Sequence, residues 1–327
     1  MQSNTQTALV IGITGSLGRE LAASLADRGW QVRAMHRDPE AAAASIGLKS
    51  LQWVKGDAMQ SDDVIQAAHG TTLIVHAANP RNYHNWRGLA LPMLDNTIAA
   101  AKAAGARILF PANIYNFGAD APQLLKENSP QNPTTRKGQV RVEMELALQK
   151  ASLYGVRSIV VRAGDFFGRG AGNSWLTRGI ASHRLSTVFY PGRQGVGHCW
   201  AYLPDLAETM VRLVECKAAM AAYEVFHFRG HWFERGAEIA EIVCRARGVS
   251  TKRITVFPWW AIKLAAPLVD VCREMLEMRY LWEVPLQLDN AKLRALIGAE
   301  PHTQAEAAVA AALGIDAPTA ALHRSPA

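Results

Sequence analysis

"TALVIGITGSLGRELAASLADRGW", Thr7 to Trp30, decides how this chain folds. It opens on a short apolar run of the kind that forms a strand buried on both faces. Gly12, Gly15 and Gly18 follow at G-x-x-G-x-x-G spacing. Helical periodicity then runs to Gly29, a C-terminal stop signal. Strand, glycine loop and helix in this order suit a pyrophosphate. Glycines let the backbone turn tightly and approach the anion, and the helix start presents N–H groups and a positive dipole end. Gly12, Thr14, Gly15, Ser16, Leu17 and Gly18 are the expected phosphate-binding residues.

The alternation continues beyond the loop. "QVRAMHR", "LQWVKGD", "TLIVHAA", "RILFPAN" and "RSIVVRAG" read as strands. "SDDVIQAAHG", with Ser61 as its cap, the Ala-rich "LALPMLDNTIAAAKAAGA" and "NPTTRKGQVRVEME" read as helices between them. This rhythm predicts an α/β fold, a Rossmann-like doubly wound parallel sheet, over residues 1–167. After Phe167 the rhythm breaks at the Gly-rich loop "GRGAGNSW". Residues 168–327 are expected to complete the sheet and to form a smaller C-terminal cap region. "LPDLAETMVRLVE", "GAEIAEIVCRARG", "FPWWAIKLAAPL" and "DNAKLRALIG" supply its helices.

Composition narrows the function. The 327 residues are 49% hydrophobic and carry a formal charge of +7. The basic residues are scattered without a block of like charge, so nucleic acid is not the expected partner. The four cysteines, Cys199, Cys216, Cys244 and Cys272, have no metal-ligand spacing, and no metal is expected. They read as free thiols of a reducing cytoplasm, and the polar N-terminus "MQSNTQT" is no secretory signal. "VFPWWAIKLAAPLVDVC" is interrupted by Lys263, Pro267 and Asp270, too often to span a bilayer. A helix lying on a membrane surface stays open as an alternative for that segment.

The residue ending the second strand should choose the cofactor. An acid there would bind the ribose 2′-OH of NAD. His36 and Arg37 stand there instead, and Asp38 before Pro39 reads as turn chemistry. Arg37, helped by Arg19 and Arg33, offers a planar donor fork for a 2′-phosphate. NADP is therefore favoured, with NAD the alternative. Arg33 also reads as a plain strand residue on the solvent side.

The glycine loop, "KGDAMQSDD", "VHAAN", "ANIYNFG", "RAGDFFG", "WAYLPDLA" and the late "LDNAKLRALIGAEPHT" occur in a specific order. In that order they resemble the extended short-chain dehydrogenases/reductases, the NAD(P)-dependent epimerase/dehydratase family, from about Thr7 to Leu313. The resemblance implies that Asp57 and Ala58 contact the adenine, Ala77 and Ala78 line the cofactor's ribose side, and Asp165 and Phe166 lie near the nicotinamide. It also implies a small-molecule substrate, and a homodimer through helices at about residues 88–104 and 138–153. Asp57 as a turn cap, and Ala77 and Ala78 as close-packing residues, are the plainer readings.

The catalytic set departs from the family. Members carry a Ser or Thr three residues before a V-Y-G-like triplet, and a Tyr-x-x-x-Lys pair one helical turn apart on the next helix. The triplet here is Ile114–Asn116, which puts Pro111 at the Ser/Thr position. Pro133, Gly138 and Glu145 set the helix register, so Lys137 stands at the Tyr position and Arg141 at the Lys position. Arg141 stays charged and can only orient or hydrogen-bond, for example at the nicotinamide ribose. Burial beside Arg141 would make Lys137 a candidate general acid or base, and Tyr115 is a substitute hydroxyl. Against this, Lys137, Arg141 and Glu145 form a row on which Arg141 and Glu145 could pair at the surface. His198, Trp200 and Tyr202 lie where cap meets core and carry no assigned role. Two functions follow: an atypical NADP-dependent oxidoreductase or epimerase, or a non-enzymatic NAD(P)-binding sensor or scaffold.

Overall fold

The computed structural model describes residues 6–48, 50–80, 85–172, 174–181 and 187–315. Strands β1 (Thr7–Ile11), β2 (Gln31–His36), β3 (Leu51–Lys55), β4 (Leu73–His76) and β5 (Arg107–Asn113) alternate with helices α1 (Ser16–Asp27), α2 (Pro39–Ile46), α3 (Ser61–Ala68) and α4 (Trp86–Ala104). A two-residue strand β6 (Leu124–Leu125), helix α5 (Arg136–Ser152) and strand β7 (Arg157–Ala163) follow. The second half holds β8 (Asp165–Phe167), β9 (Val188–Tyr190), β10 (His198–Tyr202), α6 (Leu203–Glu215), β11 (Tyr223–His227), β12 (His231–Phe233) and α7 (Glu238–Ala246). It ends with β13 (Ile254–Val256), α8 (Trp259–Ala265), α9 (Asp270–Glu277), β14 (Gln287–Leu288), α10 (Ala291–Ile297) and α11 (Ala305–Leu313).

The central sheet has seven strands in the order β11-β7-β5-β4-β1-β2-β3, every pair parallel. The order reverses between β1 and β4, and ligands of such sheets bind outside the strand C-termini at that switch. Strands such as β4, buried at all four residues, have no polar face because helices cover both sides. Leu17, Leu21 and Leu25 of α1 recur every four residues and pack with α6 side chains such as Leu206 and Met210 on one face. Val64 of α3, Leu94 of α4 and Val140, Met144 and Leu148 of α5 fill the other.

β11 comes from the second half of the chain, so that half supplies the sheet's last strand. The smaller sheets β12-β10-β8 and β13-β9 enclose a separate cap core built around Trp200, Trp282, Phe167 and Tyr190. No helix among the described residues is long and apolar enough to cross a membrane.

Several expectations change. Ser61 is the first residue of α3 rather than its cap; the preceding Gln60 makes no side-chain cap. Helices α2, α9 and α11 were not expected. In α2, Asp38 accepts from Ala41 N at 3.1 Å, so it is an N-cap, in keeping with turn chemistry.

Candidate functional site

The phosphate loop begins where β1 ends. Gly12 has φ +91°, a left-handed conformation that strains any residue with a Cβ. A Cβ on Gly12 would also stand 2.5 Å from the carbonyl carbon of Ala77, at the end of β4. A Cβ on Gly18 would stand 2.3 Å from Gly12 O, so the third glycine lets α1 close on the first. Gly15 N donates to Gly12 O at 3.0 Å and tightens the turn. Gly15 is the N-cap of α1 and supplies no side-chain acceptor, so the orphan N–H groups of the first turn have none from the cap. Thr14 is exposed, and Ser16 Oγ donates to Gly170 O at 3.2 Å, tying the loop to the Gly-rich segment after β8. The Leu17 side chain belongs to the core, which leaves only its backbone for a ligand.

Ala77 and Ala78 are half-buried beside this loop. Asp57 follows β3; its carboxylate accepts from Met59 N at 3.0 Å, and its own N–H donates to Asp63 Oδ2 at 2.9 Å. Asp57 therefore shapes its turn. Asn96 donates to Ala58 O at 2.9 Å, anchoring the same turn to α4.

At the end of β2, Arg37 and Arg19 are exposed. Arg33 is not a helper. Its guanidinium donates to Ala67 O at 2.5 Å and His69 O at 2.9 Å, at the C-terminal end of α3. Cations are favoured there by the unpaired carbonyls and the helix dipole.

Lys137 and Arg141, one turn apart on α5, diverge. The Arg141 guanidinium lies 4.9 Å from the centre of the Trp86 ring and 5.7 Å from that of Phe110, a cation–π arrangement. His76 lies nearby. Burial, and then the Arg141 charge, lower its pKa to about 3. Its Nδ1 meets Thr97 Oγ1 at 2.8 Å. Arg141 thus acts on His76, the last residue of β4, which Ala77 and Ala78 follow in sequence.

Lys137 is buried rather than on the surface, at 4% exposure. Its ammonium lies 2.6 Å from Glu274 Oε2 and 3.9 Å from Glu277 Oε2, and donates to Glu274 O at 3.1 Å. Its backbone N–H donates to Glu277 Oε1 at 3.0 Å. Helix α9 therefore closes over the start of α5. Gly138 permits the opposite contact: a Cβ there would stand 2.2 Å from Tyr115 O. Tyr115 is half-buried and packs against both the sheet core and the joint between sheet and cap.

The expected surface pair of Arg141 with Glu145 is absent. Glu145 is 2% exposed and takes a two-pronged contact from Arg162, Nε at 3.0 Å and Nη2 at 2.6 Å. Asn116 Nδ2 donates to the same carboxylate at 2.9 Å. Arg162 Nη1 reaches His227 Nε2 at 3.2 Å, and His227 Nδ1 reaches Leu125 O at 3.1 Å. A guanidinium cannot accept, so His227 is neutral with its proton on Nδ1. Its pKa is lowered to about 3, by burial and then by Arg162.

Sequence reading left His198 without a role. His198 Nε2 lies 2.8 Å from Asp165 Oδ2, just beyond the C-terminal end of β7. The ring stacks on Trp282 at 4.0 Å between centres and 4° between planes. Gly164 allows the approach, since a Cβ there would stand 2.3 Å from Cys199 O. Burial, and then Asp165, push the Cys199 thiol well up, so it is an inert neighbour. No cluster of His, Cys, Asp or Glu among the described residues is arranged to hold a metal.

Residues 12–149 match the model of a family described as NAD(P)H-binding. No curated protein sequence matches the chain. Among solved structures, an epimerase-assigned protein from Burkholderia cenocepacia J2315 is 17% identical, covering 95% of this chain and 97% of its own, with a TM-score of 0.74. The dTDP-glucose 4,6-dehydratase DesIV of Streptomyces venezuelae, with NAD and TYD bound, is 15% identical over 94% of this chain and 96% of its own, at 0.73. A UDP-galactose 4-epimerase is 17% identical over 94% and 97%, at 0.72. These similarities cover 94–95% of the chain, cap included, so the described residues share that fold.

Proposed function

We propose that this chain, whose residues 12–149 are an NAD(P)H-binding domain within the epimerase/dehydratase fold of the extended short-chain dehydrogenases/reductases, is an NADP-dependent oxidoreductase or epimerase without the family's Tyr. The observation that carries the reading is the contact of Gly12 with the end of β4. It keeps the backbone low at the switch point, where side chains would otherwise fill the space a dinucleotide needs.

The loop residues Gly12, Thr14, Gly15, Ser16, Leu17 and Gly18 fit a pyrophosphate, with the first-turn N–H groups of α1 as donors. Exposed Arg37 fits a 2′-phosphate and favours NADP over NAD. Asp57 and Ala58 take the adenine side, Ala77 and Ala78 the ribose side. Arg141, stacked on Trp86, holds the nicotinamide ribose. When bound, the nicotinamide supplies or accepts a hydride. Proton transfer falls to His198, whose ring Asp165 orients, with Tyr115 as a substitute hydroxyl near the joint. The nucleotide sugars bound or converted by structural neighbours are the first substrate class to test.

A second reading has its own observation. Lys137, at the Tyr position, is held by two carboxylates, an arrangement that closes the start of α5 instead of presenting a reactive group. That favours a non-enzymatic NAD(P)-binding sensor or scaffold. A screen of nucleotide sugars and small carbonyl compounds, following NADPH absorbance, separates the two. Turnover lost in His198→Gln supports the enzyme. NADPH binding with no turnover on any compound supports the sensor. Binding of neither NADPH nor NADH in calorimetry overturns both.

A further inference from the structure

Between β13 and α9 the chain projects large apolar side chains into solvent. Val256 is 80% exposed, Trp260 71%, Leu264 72% and Leu268 90%, with Val269 and Val271 near half. Trp260, Leu264 and Leu268 recur at intervals of four, so they follow one side of α8 and its continuation. The opposite side, Trp259, Ile262 and Ala266, packs into the cap. Helix α8 is therefore apolar on two sides, and the protein covers only one. Scattered exposed hydrophobics are ordinary, but a run of this size within one short segment marks an interaction surface.

The surroundings identify the partner. Lys252, Arg253, Lys263 and Arg273 are exposed along the same segment. Its acids are engaged: Asp270 pairs with Arg273, and Glu274 and Glu277 face Lys137. The whole chain carries +7, so an anionic surface attracts it from a distance. Shape points the same way. Leu268, on the turn between α8 and α9, is almost wholly exposed, which makes this a projecting tip instead of a groove. A tip of Trp, Leu and Val ringed by Lys and Arg suits a deformable acyl layer under anionic headgroups, with Trp at the boundary and Lys amines reaching up to phosphates.

We propose that the α8–α9 tip docks reversibly on anionic membrane surfaces. Trp260, Leu264 and Leu268 enter the boundary between headgroups and acyl chains, and Lys252 and Lys263 contact lipid phosphate. The docking is peripheral and independent of any bound cofactor.

The test uses the full chain with vesicles of phosphatidylcholine alone or mixed with phosphatidylglycerol. Co-sedimentation is expected with the mixed vesicles, weaker with the neutral ones, and weakened by salt. Leu264→Ser with Leu268→Ser should lower the partition coefficient by roughly tenfold or more, given the apolar area withdrawn from lipid. Lys252→Glu with Lys263→Glu should remove the preference for the anionic lipid. Both pairs alter exposed side chains, and thermal unfolding checks that the fold is retained. No binding to mixed vesicles, or equal binding by the Ser variant, overturns the proposal. So does sedimentation velocity showing a dimer that the Ser variant dissociates without any vesicle binding, because the tip would then join two copies.

Discussion

Lys137 on α5 and Glu274 on α9 form an ion pair of 2.6 Å across 137 residues of sequence, both side chains largely buried. The pair closes α9 over the start of α5, and this sets the first expectation. Lys137→Ala leaves two carboxylates without their cation and should cost about 2 kcal/mol of stability, below the roughly 3–5 kcal/mol of fully buried pairs because Glu274 keeps 19% of its side chain exposed. Urea unfolding measures it. NADPH affinity should change little, because the proposed cofactor contact is made by Arg141 and not by Lys137. A large loss of affinity with unchanged stability would return Lys137 to the binding site.

Arg162 and Glu145 are more deeply buried, at 1% and 3% side-chain exposure. Glu145→Ala strands the guanidinium and should destabilise by roughly 3–5 kcal/mol. Replacing both, Arg162→Met with Glu145→Leu, should recover much of that loss. A double-variant cycle by urea unfolding checks whether the single loss comes from the uncompensated charge.

Gly12→Ala and Gly15→Ala should differ sharply. A Cβ at Gly12 meets Ala77 backbone at 2.5 Å and carries a positive φ, whereas at Gly15 its nearest neighbour is Gly12 O at 3.2 Å and φ is ordinary. Gly12→Ala should therefore abolish NADPH binding or unfold the loop. Gly15→Ala should lower affinity several-fold at most. Calorimetric titration and thermal unfolding read the two effects; equal behaviour would contradict the close approach.

Arg37→Glu should weaken NADPH by about tenfold or more while leaving NADH within a few-fold, since a charge-assisted contact to phosphate is lost only for the phosphorylated cofactor. Equal losses for the two cofactors would remove Arg37 from the 2′ site.

His227 has a folded pKa of about 3, against about 6.5 when unfolded. Between those values the unfolded chain binds the extra proton. The stability contributed by the neutral ring is whole above about pH 6.5 and falls as the pH drops toward 3, by up to about 1.4 kcal/mol per unit. His76, lowered likewise to about 3, acts in the same direction. The urea midpoint should fall from pH 7 to pH 5, and His227→Gln should make that decline shallower. An unchanged slope would mean that His227 accepts a proton inside the fold.

The phosphate loop and the parallel sheet were legible because both are written locally. Gly12, Gly15 and Gly18 sit within one turn of one another, and an apolar run such as β4 needs no distant partner to be recognised as buried. The start of α5 was only half legible. Its register follows from Pro133, Gly138 and Glu145, but the fate of Lys137 depends on Glu274 and Glu277. Those two acids lie three apart on α9, a helix the sequence reading does not find, so nothing local points to their meeting Lys137. The alternative of an Arg141–Glu145 surface pair fails for the same reason: helical spacing makes Arg141 and Glu145 neighbours, yet the buried strand β7 offers Glu145 a better-desolvated cation, Arg162. His198 and Asp165, 33 residues apart on separate strands, meet only because β8 and β10 pair.

Helix α5 begins with Thr135 accepting from Gly138 N and Glu277 accepting from Lys137 N, each at 3.0 Å. One cap is local and the other is borrowed from α9. If α9 swings away, the first turn of α5 loses an N–H acceptor at the same moment that the Lys137 ammonium loses its counter-charge. The two segments are thus parts of one opening unit, although more than a hundred residues separate them in the chain. Amide hydrogens at the start of α5 and throughout α9 should exchange with solvent deuterium at a common opening free energy, and Glu277→Gln should lower protection in both together.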